Sequence, residues 1–77
     1  MLTSSTSFNR AYVLTHADRF SRATSRSLKV DSLWRIASNA DLYDQATLTE
    51  FTENGMPDSI VTEITDWLCS IGINVNV

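Results

Sequence analysis

From Phe8 onward apolar residues recur at helical spacing. At 100° per residue, Tyr12, Val13, Leu14, Ala17, Phe20, Ala23 and Leu28 share one broad face. Arg19, Arg22, Arg26 and Lys29 gather on the opposite side, at the neighbour spacing of a helix surface. The pattern predicts a helix over 8–28, entered from a loose Ser/Thr-rich segment 1–7 with Ser7 as its cap. Thr24-Ser25-Arg26-Ser27 is the weak stretch, because hydroxyl side chains compete for backbone hydrogen bonds and favour a helix end there.

A second helix is expected to start at Asp31 as N-cap, with Leu33, Ile36, Ala37 and Ala40 as its stripe and Trp34 on the flank. Continuing it would put Leu42 on the wrong side, so it should end near Asn39. Asp44 can cap a short third helix that places Leu48 and Phe51 about one turn apart. Asn54-Gly55 is a stop signal, since both residues tolerate a left-handed backbone. Pro57 marks the start of the last helix, with Asp58 or Ser59 serving its first turn. Ile60, Val61, Ile64, Trp67, Leu68 and Ile71 form its continuous stripe. Gly72 sits in the usual closing position, with Ile73 placed for the accompanying apolar contact. The tail 73–77 alternates apolar and polar, which fits a strand, a frayed end or an arm reaching a second subunit.

These elements give an all-α fold: a small single-domain bundle of three to four short helices over residues 1–77, with a short extended C-terminal tail. The expected core is Tyr12, Val13, Phe20, Leu33, Ile36, Phe51, Ile60, Ile64, Trp67, Leu68 and Ile71. Composition agrees. Only 2 Gly and 1 Pro punctuate 77 residues, too few for a strand-rich sandwich, and 43% hydrophobic content argues against disorder. A core of this size rarely supplies more than about 3–5 kcal/mol. Cys69 is the only cysteine, so no internal disulfide can help, and self-association becomes a candidate support. No apolar run approaches the ~18 residues of a membrane span, and the N-terminus lacks the basic and apolar regions of a secretion signal. With a single free thiol, the expectation is a cytoplasmic protein without a membrane partner.

Candidate chemistry is sparse. His16 is the only general base suited to neutral pH, and Cys69 lies about 180° from Ile60, on the polar side of its helix. The carboxylates Asp41, Asp44, Glu50, Glu53, Asp58, Glu63 and Asp66 lack calcium-loop spacing and read as a solvated face. One His and one Cys do not make a zinc site, and no phosphate-binding glycine loop occurs. The expectation is therefore no enzyme, no metal and no cofactor. A helix-turn-helix around Gly55 would present Asp58, Glu63 and Asp66 to phosphate, which repels it.

Charge changes the picture most. Residues 1–35 hold all six cations and only two acids, Asp18 and Asp31; residues 36–77 hold seven acids and no cation. A bipolar chain of this kind suits surface recognition. The leading expectation is a small protein-binding regulator or inhibitor that occupies a partner protein's surface. The contact residues would be Arg19, Arg22, Arg26, Lys29, Trp34 and Arg35, with the acidic half as the other possible face. Two alternatives remain open: a nucleic-acid binder using the ridge Arg19/Arg22/Arg26/Lys29, subject to phosphorylation at Ser21, Thr24, Ser25 or Ser27, and a structural protein assembling as a homo-oligomer.

Overall fold

In a computed structural model, which describes residues 8–76, four helices build the chain: α1 Arg10–Arg22, α2 Arg26–Asn39, α3 Gln45–Asn54 and α4 Asp58–Ser70. No strand occurs among the described residues. The expected all-α bundle is observed. The expected cap at Ser7 and the loose segment 1–7 lie outside the described residues.

The first expected helix is in fact two. Ala23 leaves α1 in extended conformation, and Ser25 caps α2, its Oγ accepting from Leu28 N at 3.3 Å. The Ser/Thr competition at 24–27 thus ends one helix and starts the next. Asp31 is consequently interior to α2 rather than its cap. Leu28, expected on the core face, is carried away and is 44% exposed, as is Leu14. Asn9 caps α1, accepting from Tyr12 N at 3.0 Å.

α1 and α2 form an antiparallel hairpin. Asn9 N, before α1, donates to Asn39 Oδ1 at the far end of α2 (3.0 Å). At the turn, Lys29 Nζ donates to the Phe20 carbonyl (3.1 Å) and lies 4.5 Å from the Phe20 ring centroid. That places a cation on the last turn of α1, where the helix dipole and the ring face both favour it. Val13, Ala17 and Phe20 of α1 meet Leu33, Ile36 and Ala37 of α2 in one buried cluster, completed from α4 by Ile64 and Leu68.

The connections also fill this core. α2 ends near Asn39, as expected. Asp41 then turns left-handed (φ 55°), and Leu42 N bonds back to the Ala37 carbonyl at 3.0 Å. This is a Schellman turn, and it swings Leu42 and Tyr43 inward until both are buried. α3 starts on Asp44, which accepts from Thr47 N at 2.8 Å, and stops at Gly55 (φ 86°), a backbone shape that only glycine adopts without strain. Met56 follows into the core, and Pro57 opens α4. At the far end of α4, Gly72 (φ 88°) closes a second Schellman turn, with Ile73 N bonded to the Leu68 carbonyl at 2.9 Å.

The tail beyond Gly72 is neither strand nor outreaching arm. Ile73 is buried, Val75 packs on the core, and Asn76 N donates to Ser21 Oγ of α1 (3.1 Å). The tail therefore covers its own first helix. Tyr12, Ile60, Trp67 and Ile71, expected in the core, are only partly buried. Trp67 packs edge-on against Phe8, with ring centroids 5.3 Å apart.

Candidate functional site

The cations expected to form one ridge lie on two helices, and each has an intramolecular partner. Arg22 Nε meets Asp18 (3.0 Å) within α1. Arg26 reaches the α3–α4 connection, donating to the Met56 carbonyl (2.9 Å) and pairing with Asp58 (2.8 Å). Arg10 donates to the Ile71 carbonyl at the end of α4 (3.4 Å). Lys29 is engaged at Phe20. Trp34 is half-buried, its indole N–H donating to the Leu48 carbonyl (2.9 Å), which ties α3 to α2.

Arg19 and Arg35 converge from different helices on a single oxygen. Asp31 Oδ2 accepts from Arg19 at 2.7 Å and from Arg35 at 2.9 Å. The two bonds hold the Asp31 carboxyl below its usual range, Arg35 contributing more than Arg19. His16 stands beside them, its ring centroid 4.4 Å from that of Tyr12. Its buried Nδ1 has no hydrogen-bond partner. Burial first, then the Arg19 and Arg35 charges, push the His16 pKa down, with Asp31 acting in opposition. Tyr12, His16 and Arg19 share one side of α1; Asp31 and Arg35 share one side of α2. Periodicity puts Tyr12 in the core and Asp31 at a helix cap, which hides this cluster from the sequence. The i, i+4, i+7 spacing of Tyr12, His16 and Arg19 was the available signal.

The acids behave differently. Of the seven in the second half, Asp58 is the one seen in an ion pair among the described residues. Glu63 accepts from the Tyr43 hydroxyl at 2.6 Å; burial first, then this bond and charge, raises the Tyr43 pKa. Asp44 is spent on its cap, where the Thr47 hydroxyl and then its backbone N–H hold the carboxyl below its usual range. Glu50, Glu53 and Asp66 are exposed and have no partner among the described residues. Between α3 and the start of α4 runs a groove of about 420 Å³. Tyr43, Phe51, Pro57 and Ile60 supply its apolar lining and Asp44 and Glu50 its charge; no cation lines it. The groove follows from local rules: Asp44 begins α3, Gly55 stops it, and Pro57 starts α4 afresh. Their spacing in the sequence marks these acids only as a solvated face and does not show the apolar surface between them.

Cys69 is exposed on α4, as expected, with Asn74 Oδ1 4.0 Å from its sulfur. No group of three His, Cys, Asp or Glu able to hold a metal ion occurs among the described residues. No helix among them is long and apolar enough to cross a membrane. Compared with known proteins, the chain matches no family model, no curated sequence and no solved structure.

Proposed function

We propose that the chain is a non-enzymatic protein-binding module, a small regulator or inhibitor that places its α3–α4 groove against a basic, partly apolar segment of a partner protein. One observation carries this reading. The groove combines aromatic and aliphatic lining with two carboxylates and no cation. Apolar lining supplies contact area, and unneutralised carboxylates select a positively charged partner and speed the encounter. The ridge cations, by contrast, each spend at least one donor inside the chain. The nucleic-acid alternative rested on four cations along one helix. They stand on two, each engaged, so the acidic groove is the better-supported face.

The test is a titration of isotope-labelled chain with a short amphipathic Lys/Leu peptide. Saturable shifts are expected at the amides of Thr47–Asn54 and at Ser59 and Ile60, weakening as salt rises. Glu50→Lys should lower the affinity by about tenfold. The same variant should also lose a partner that the parent chain captures from its host. Undiminished peptide binding by Glu50→Lys, or shifts confined to α1 and α2, would overturn the proposal.

A further inference from the structure

The Asp31 cluster lies outside that groove, and its composition exceeds what holding two helices together requires. One carboxylate and one guanidinium would cross-link α1 to α2. Here two guanidiniums share one carboxylate oxygen, leaving a net charge of +1 before His16 is counted. Each Arg side chain is well exposed, 39% for Arg19 and 47% for Arg35. A guanidinium carries five N–H donors; the bond to Asp31 uses one of them on each, and Arg35 also engages the Tyr12 hydroxyl. Asp31 therefore orients two forks without filling them.

His16 adds a further donor. A protonated imidazole needs two acceptors, and the buried Nδ1 has none. A neutral imidazole with its proton on Nδ1 would bury an unsatisfied N–H, the rarer and costlier defect. The proton accordingly belongs on Nε2, and both the partnerless Nδ1 and the surrounding cations resist a second proton. The charged and titratable groups that bear on it are Arg19 on its own helix and Arg35 and Asp31 on α2, with the Tyr12 ring stacked beside it.

We propose that Arg19, Arg35 and His16, with Asp31 as the positioning residue, form a binding site for a phosphate-class dianion, either inorganic phosphate or a phosphate monoester. Donors reaching in from two helices suit a tetrahedral oxyanion, whose oxygens accept from several directions at once. A dianion also offsets the guanidinium charges that oppose a second proton on His16, so its binding raises the His16 pKa although the buried Nδ1 still resists that proton.

His16 is the only histidine, so its ring C–H resonances report the site without assignment. Its titration is followed by NMR in chloride, in inorganic phosphate and in phenyl phosphate, at matched ionic strength. Phosphate is expected to raise the His16 pKa by about one pH unit over chloride. Arg35→Gln and Arg19→Gln should each abolish that difference, while Arg35→Lys should retain part of it. A larger rise with phenyl phosphate assigns the site to a monoester; an equal rise assigns it to free phosphate. Circular dichroism confirms that each variant is folded. Should a variant unfold, chemical-shift mapping of the parent chain decides, with phosphate-dependent shifts expected at Arg19, Asp31 and Arg35. A titration curve identical in phosphate and chloride, or shifts that map elsewhere, would sink the proposal.

Discussion

Replacing Leu42 with alanine tests how the chain leaves α2. Leu42 lies three residues beyond the helix yet is fully buried, because left-handed Asp41 turns it inward. Truncating a buried leucine costs about 2–5 kcal/mol, since the transfer energy of the lost carbons adds to the cavity left behind. Two features favour the middle of that range, about 3 kcal/mol. The site is enclosed by a helix terminus and a backbone turn that cannot collapse freely, but the domain is small and its loops can shift. A single core in a chain of 77 residues supplies only about 3–5 kcal/mol in all. The variant therefore retains little margin. With an m-value of about 1 kcal/mol/M in urea, its midpoint should fall by about 3 M. Thermal melting should drop by about 12–24 °C. Leu28→Ala is the control: an apolar residue of the same size, 44% exposed, should move stability by no more than about 0.5 kcal/mol. Urea melts followed by tryptophan fluorescence measure both. If Leu42→Ala costs no more than Leu28→Ala, the turn does not deliver Leu42 to the core and the described path of the chain after Asn39 is wrong.

Ser25→Ala removes the cap that divides α1 from α2 and should cost about 1 kcal/mol, whereas Ser27→Ala should cost less than half of that. In phosphate-free buffer, stability should decline as pH falls below about 6.5, because the unfolded chain then takes a proton that folded His16 resists. His16→Gln should flatten the profile between pH 7 and 5. The depressed Asp31 pKa acts lower: its stabilisation is complete above the ordinary Asp value of 3.8 and is lost as pH falls through the folded value.

What periodicity could reveal was the helices and their punctuation. Asp44, Gly55, Pro57 and Gly72 stand where local rules put them, and Val13, Phe20, Leu33, Ile36, Ile64 and Leu68 are buried as their spacing implies. The failures have one physical origin. Leu42, Tyr43 and Met56 are buried in connections, where no repeat marks an inward residue, whereas Ile73 is buried where the Gly72 turn puts it. They occupy space that the sequence reading gave to Ile60, Trp67 and Ile71, which were displaced to the margin. The same shift of a few residues at Ser25 turned Asp31 from an imagined cap into the meeting point of two arginines. The Asp31 cluster was hidden behind a helix boundary, and the groove behind a turn.

The separation of charge along the sequence therefore does not become two opposed poles in space. Arg19, Arg22 and Arg35 pair with Asp18 and Asp31 from their own half, and Arg26–Asp58 is the only ion pair seen to join the halves among the described residues. Cations thus fasten the α1–α2 hairpin and the ends of α4, while Glu50, Glu53 and Asp66 fasten nothing described. Exposed carboxylates without partners repel one another and weaken a compact state, so they do not serve the fold. Substitutions in the two sets should consequently dissociate. Removing Arg or Asp31 partners should lower stability. Neutralising Glu50 or Glu53 should leave stability unchanged or raise it, while weakening attachment to a basic partner. A residue that costs the fold something and gives recognition in return is the physical mark of a contact surface, and a dissociation of this kind would put that mark on the acidic side.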